Sequence, residues 1–304
     1  MGVMMILIGS ILLSVTGCSI QKMPEQDEAE ESAGETQETE MPMVTPEPTA
    51  TPETIVYYDA DGNRFEMVVD QRVTKHDYDW ENLTHSTGGR KVPDTYEDDR
   101  YTSRQGVDVS HHNGTIDWEK VKKAGYEFAF LRLGYRGYGA EGKLCVDREF
   151  QSSFKRARAA GIELGVYFFS QAITEEEARE EAKLVLTELN NSKLELPVVF
   201  DPEYIREDEA RTDGVSKEQF TKNALAFCEK IEKAGYQPAI YSNLYCEDHM
   251  FDLSQLEAYP LWYADYKPEP QTPYRFTYWQ YSESGKVPGV SGGCDLDIEF
   301  IKKK

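Results

Sequence analysis

Positive charge is in short supply in this sequence. Its 33 Lys and Arg stand against 55 Asp and Glu, a net charge of −22, and no basic run adjoins an aromatic stripe. Nothing here could neutralise a phosphate backbone, so nucleic acid is excluded as a partner. Cysteine is scarce too: none of the five forms a Cys-x-x-Cys pair or stands beside a histidine at metal-ligand spacing. A Gly-x-Ser-x-Gly elbow is missing, and no Cys/His pair makes a nucleophile. No glycine-rich phosphate loop follows any predicted strand, which counts against an open doubly wound sheet. No apolar run reaches the roughly 20 residues of a spanning helix.

The longest apolar run, Met1 to Ser14, has the length of a signal h-region, although no Lys or Arg precedes it. Val15-Thr16-Gly17-Cys18 follows and resembles the bacterial lipobox, which implies removal of residues 1–17 and lipidation of Cys18. The expected location is extracytoplasmic: anchored to the outer face of the cytoplasmic membrane, or secreted. Between Gln21 and Thr54 ten acids face the single base Lys22, with five prolines and few apolar residues. Such a segment cannot bury enough surface to offset its ordering entropy, so residues 18–54 are expected to form an extended acidic linker.

Residues 55–104 read as a small extension. Ile55-Val56-Tyr57-Tyr58 and Phe65-Glu66-Met67-Val68-Val69 flank an Asp61-Gly62 turn, a β-hairpin pattern. A lone hairpin is marginal in water, so packing on the main domain is expected.

From Gln105 to the end, strand and helix patterns alternate. Short apolar strands are predicted at Gly106–Ser110, Phe128–Leu133, Leu164–Phe169, Leu196–Phe200, Pro238–Tyr241, Leu261–Ala264, Tyr278–Tyr281 and Cys294–Ile298. Asp117, Thr174 with Glu177, and Ser216 with Gln219 mark helix starts between them. Eight such strands imply a parallel sheet closed into an irregular (β/α)8-type barrel. Its last strands are helix-poor, because the connections after Asp265 and Ser282 lack helical periodicity. The fold class is therefore α/β. Cys228 falls on the apolar side of a helix and reads as a buried free thiol. Pairing among Cys145, Cys228, Cys246 and Cys294 is left open.

Functional groups of a barrel collect at the C-terminal rim. Asp201 and Glu203 close the fourth strand at i and i+2, so they face the same way with Cα atoms about 6.5 Å apart. Loss of hydration and mutual repulsion can keep one protonated while the other stays charged, as glycosidic bond cleavage requires. A strand end with merely solvated acids is the alternative. Asp108 on the first strand and Asp295 with Asp297 on the eighth bring more acids to the rim. Tyr167, Tyr241, Trp262 and Trp279 end other strands, although core packing would account for any one of them alone. Acids ringed by aromatics suit a sugar. His111 and His112, adjacent on a strand end, should point apart and form no metal site.

With these residues in view, the chain resembles glycoside hydrolase family 25, lysozymes that cleave the β-1,4 bond between N-acetylmuramic acid and N-acetylglucosamine. The resemblance runs from about Gln105 to Ile301. It rests on Gly106–Ser110 with Asn113-Gly114, on Phe200-Asp201-Pro202-Glu203, on Leu261–Tyr266, on Trp279-Gln280-Tyr281-Ser282 and on Gly293–Asp297. It implies that Glu203 is the acid/base and that Asp201 orients the 2-acetamido group in a substrate-assisted, retaining reaction. Asp108 and Asp295 would line the cleft, joined by Tyr167, Tyr241, Trp262, Trp279 and Gln280 as substrate contacts. Tyr167-Phe168-Phe169 departs from the Tyr-His-Phe of many relatives. A monomeric hydrolase acting on peptidoglycan glycan strands, with no cofactor or metal, is expected. The rival expectations are a non-catalytic wall-binding module, a glycosidase on another N-acetylhexosamine polymer such as chitin, and a metal-dependent deacetylase.

Overall fold

The computed structural model describes residues 51–59, 61–85, 94–206 and 209–304. The expected signal segment, Cys18 and the linker up to residue 50 lie outside them. The hairpin forms as expected from β1 (Thr54–Tyr58) and β2 (Arg64–Val68), antiparallel with Tyr58 opposite Arg64. Asp59 fixes its turn, accepting hydrogen bonds from the backbone N–H of Asp61 and Asn63 and from the Asn63 side chain. Two-residue strands β3 (Leu83–Thr84) and β4 (Thr95–Tyr96) pair next, and β5 (Tyr101–Val109) enters the barrel.

The chain then runs through α1 (Trp118–Lys123), β6 (Phe128–Arg136), β7 (Leu144–Val146), α2 (Phe150–Ala159), β8 (Glu163–Ser170) and α3 (Glu175–Leu189). It continues with β9 (Val198–Pro202), α4 (Lys217–Lys233), β10 (Pro238–Ser242), β11 (Leu261–Ala264), β12 (Tyr278–Gly285) and β13 (Cys294–Lys302). The helix starts carry their caps: Asp117, Thr174 and Ser216 each accept the expected backbone N–H. Glu177 departs from a closed capping box, taking the N–H of Ile173 and pairing with Arg211 instead.

Eight strands close in the order β5-β6-β8-β9-β10-β11-β12-β13, with β7 added outside β6. The first seven are parallel, but β13 is antiparallel to both β12 and β5. The expectation of an all-parallel sheet therefore fails at the last strand. A parallel return needs a crossover of a dozen or more residues, usually a helix. Only Lys286 to Gly293 separates β12 from β13, so the chain turns back as a hairpin.

Strand alternation sorts the core into two shells. Inside the barrel lie Phe128, Phe130, Val199, Trp262 and Tyr278, while outward residues such as Val107, Val166 and Phe200 pack beneath the helices. Gly106 makes room for the inner shell, since a Cβ there would sit 2.2 Å from the Phe128 ring. The 55–104 extension packs as expected. Tyr57, Met67 and Tyr96 are buried, and Tyr78 and Trp80 stack around Phe276 and Phe300. Each buried side chain of this size contributes on the order of 1.5–3 kcal/mol, which an isolated hairpin cannot gather. All four cysteines of the described region are free.

Candidate active site

The alternation that fills the barrel with rings also carries acids to its upper rim. Along β5 the inward positions are Gly106 and then Asp108; along β9 they are Val199 and then Asp201, with Glu203 just past the strand end. The antiparallel course of β13 changes how the third contribution arises. Asp295 lies near the start of that strand, opposite Asp108, because only its beginning reaches the rim where the others finish. Asp108, Asp201, Glu203 and Asp295 line one cavity of about 760 Å³. The volume lies within the range of small-ligand sites.

Trp262 lies beneath this cavity, 1% exposed, stacked on Phe130 at 4.7 Å and met edge-on by Tyr241 at 5.0 Å and Tyr167 at 5.7 Å. Its indole N–H donates to Asp297 Oδ1 at 2.8 Å. Gln280 is held by two phenols: Tyr241 and Tyr266 both donate to its Oε1, at 3.1 and 2.9 Å. With the oxygen taken, the amide nitrogen turns to Asp108 and donates to Oδ2 at 2.8 Å.

The acids influence one another. Burial lifts Asp108 far above the usual carboxylate range, and the charges of Asp295 and Asp297 add to the rise while the Gln280 hydrogen bond opposes it. Burial likewise raises Asp297 well above that range. Asp295 rises to about 6 by burial, against a hydrogen bond from Asp108. Such carboxyl–carboxyl bonds need a shared proton.

Asp201 is 2% exposed and is pushed well up by burial first and the Glu203 charge second, with Arg132 opposing. Its Oδ1 is buried and accepts no hydrogen bond from the described residues. Glu203 keeps solvent access through the cavity mouth. The flanking walls still strip enough hydration to push its pKa up to about 7, with Asp295 adding and Arg132 and Arg206 opposing. Two acids therefore bear on Glu203: Asp295 from across the barrel and Asp201, whose own carboxyl responds to the Glu203 charge.

Tyr167, Tyr241, Trp262 and Gln280 line the cavity. Trp279 does not. It occupies the outward face of β12, with its N–H on the Asp265 carbonyl and its ring near Trp80 and Tyr281. Phe168 is likewise an outward core residue, completely buried, so its apolar side chain leaves the cavity unaltered. His111 and His112 lie in a 3-10 turn rather than on a strand end, so their rings do not point apart: they lie 4.0 Å from each other. Asp147 holds His111 Nδ1 at 2.9 Å and also takes the Arg132 Nε–H. Sequence reasoning missed Tyr266, although it stands within the Leu261–Tyr266 motif, and missed Tyr57, Tyr58 and Asp59, for which no local signal existed.

Comparisons with known proteins add the family to this geometry. The autolytic lysozyme of Clostridium acetobutylicum is 26% identical over 196 residues, covering 64% of this chain and 55% of that protein. Among solved structures, the modular autolysin LytC of Streptococcus pneumoniae, solved with a synthetic peptidoglycan ligand, superposes with a TM-score of 0.57. It is 22% identical and covers 82% of this chain and 56% of its own. A family 25 glycosyl hydrolase from Bacillus anthracis superposes with a TM-score of 0.56 at 24% identity, covering 71% of this chain and 94% of its own. This chain thus spans little more than half the length of the clostridial and pneumococcal proteins. The family model of the glycosyl hydrolases family 25 matches residues 107–290, and the chain belongs to that family of glycoside hydrolases.

Proposed function

We propose that this hydrolase cleaves the β-1,4 bond between N-acetylmuramic acid and N-acetylglucosamine in peptidoglycan glycan strands. Glu203, protonated near neutrality, gives its proton to the departing glycosidic oxygen. Asp201 Oδ1 accepts the N–H of the 2-acetamido group, whose carbonyl oxygen attacks the anomeric carbon. Glu203, now charged, takes a proton from the water that opens the resulting ring, so configuration is retained. Asp108, Asp295 and Gln280 hold hydroxyls, and Trp262, Tyr167 and Tyr241 shape the floor. Both proton-transfer and orienting roles fall on carboxyls, so activity is expected to withstand chelators.

The observation that supports this reading most directly is the buried Oδ1 of Asp201, an acceptor without a donor among the described residues, beside a solvent-reached Glu203 with raised pKa. A buried acceptor left unpaired costs about 1–3 kcal/mol, and an amide N–H of the substrate would recover it. In the same reading residues 1–17 direct export and Cys18 carries the lipid. Residues 18–54 tether the extension (55–104) and the barrel (105–304), which act as a monomer beneath the wall.

Mass spectrometry of peptidoglycan digested by the full chain tests the proposal. A reducing N-acetylmuramic acid end is expected. A reducing N-acetylglucosamine end, or turnover of chitin alone, would overturn it.

A further inference from the structure

The family match starts at residue 107, yet one wall of the cavity comes from upstream of it. Tyr57, Tyr58 and Asp59, at the end of β1, line the same cavity as Asp201 and Glu203. This wall is built rigidly. Tyr57 is 4% exposed and its hydroxyl donates to Asp248 Oδ2 at 3.1 Å. Its ring stacks on Phe65 at 5.2 Å, and Phe65 in turn meets Tyr245 and His249 edge-on. Asp59 accepts three hydrogen bonds from Asp61 and Asn63, and a wall held by such contacts would lose little entropy when a ligand meets it.

Alternation then sets Tyr58 outward, 65% exposed. Tyr204, directly after Glu203, is 47% exposed and leans on Tyr245 with ring centroids 4.9 Å apart. Of the four strongly exposed tyrosines among the described residues, Tyr58, Tyr204 and Tyr266 line this cavity, and only Tyr138 lies elsewhere. Single exposed rings are ordinary, but three around one cavity mark a binding surface. Tyr266 is tied to Gln280 and belongs with the acids. Tyr58 and Tyr204 make no such bond and offer ring faces. Arg206 lines the cavity together with Asp59, Asp201 and Glu203, so the end of β1 and the acid pair are parts of one surface.

We propose that the hairpin adds a glycan subsite to the cleft, in which Tyr58 and Tyr204 stack against the apolar face of an N-acetylated sugar away from the scissile bond. Flat, amphipathic, near-neutral rings suit a pyranose better than a charged ligand. The subsite rests on the peptidoglycan reading above. It makes the enzyme favour long strands over short oligosaccharides.

The test uses the full chain silenced by Glu203→Gln and peptide-free glycan strands of four and eight sugars, with affinity read by calorimetry. Eight sugars are expected to bind about tenfold more tightly than four. Adding Tyr58→Ala should remove most of that difference, whereas Tyr58→Phe, which keeps the ring, should preserve it. Equal affinity for both lengths, or an Ala variant that loses nothing, overturns the subsite and leaves the hydrolase reading standing. Failure to bind either length overturns both.

Discussion

Asp108 and Asp295 face each other across the ladder that joins the first and last barrel strands. They are adjacent because β13 runs against its neighbours, so that its beginning meets the ends of the others. Two carboxyls at one register position, over a buried third in Asp297, hold each other partly protonated. Of the three, Asp295 acts on Glu203 from across the cavity.

Glu203→Gln keeps size and polarity but cannot exchange a proton. Turnover should fall by at least about 10²-fold, while the thermal transition should not drop: burial raises the Glu203 pKa, so losing the carboxylate relieves a cost at and above neutral pH. Reducing-end release beside a thermal melt measures both. Full activity in the variant would remove Glu203 from the mechanism.

The alkaline limb of the pH profile follows from the same residue. Glu203 acts while protonated, so kcat/KM should decline as pH rises past about 7. Asp295→Asn deletes the negative charge that helps to raise it, so the limb should move to lower pH. A limb unchanged between the two enzymes would show that Asp295 does not act on the acid.

Asp201→Asn should lower activity and raise stability together. Burial puts the folded-state pKa of Asp201 above its unfolded value, so the native state binds the extra proton and loses stability as pH rises through that range. Removing the charge relieves this cost at pH 8 and little at pH 4. A gain of about 1 kcal/mol, or roughly 2–4 °C in Tm, is expected at the higher pH. Equal melting temperatures at pH 8 would contradict it.

Trp262→Phe keeps the floor of the cavity and removes the N–H that satisfies Asp297 Oδ1. Asp297 is fully buried and its other oxygen already lacks an N–H donor among the described residues. The loss should be about 1–3 kcal/mol, visible as a lower Tm.

Arg136 sits against α3, donating to Glu181 Oε1 at 2.7 Å; both are nearly or wholly buried. Arg136→Met leaves that carboxyl without its counter-charge and with the Ser170 hydroxyl as donor, and burial already pushes it up to about 7. Stability should drop by about 3–5 kcal/mol, while Arg136→Met with Glu181→Leu should recover most of it. Denaturant titration separates the two.

Much of this molecule was open to local reading. Short continuous apolar runs located the barrel strands, and Ser/Thr/Asp caps marked three helix starts, because strands and helix ends are set by nearest-neighbour geometry. Asp201 and Glu203 could be paired from their i, i+2 spacing alone. Trp279 shows where such reading fails. It ends a strand like Trp262, but one residue of register turns it outward, and only its partners reveal the face.

The amino-acid order alone therefore determined the alternation of elements, the acid pair and the aromatic supply, since each is a property of residues close in the chain. The three-dimensional structure decided the antiparallel last strand, the Asp295 charge that acts on Glu203, and the hairpin wall bearing Tyr58. The last strand meets the first across 187 positions (Asp108 opposite Asp295), Asp295 is 92 positions from Glu203, and Tyr57 bonds Asp248 across 191. Contacts at such separation depend on chain closure and packing, which leave no periodic trace in sequence.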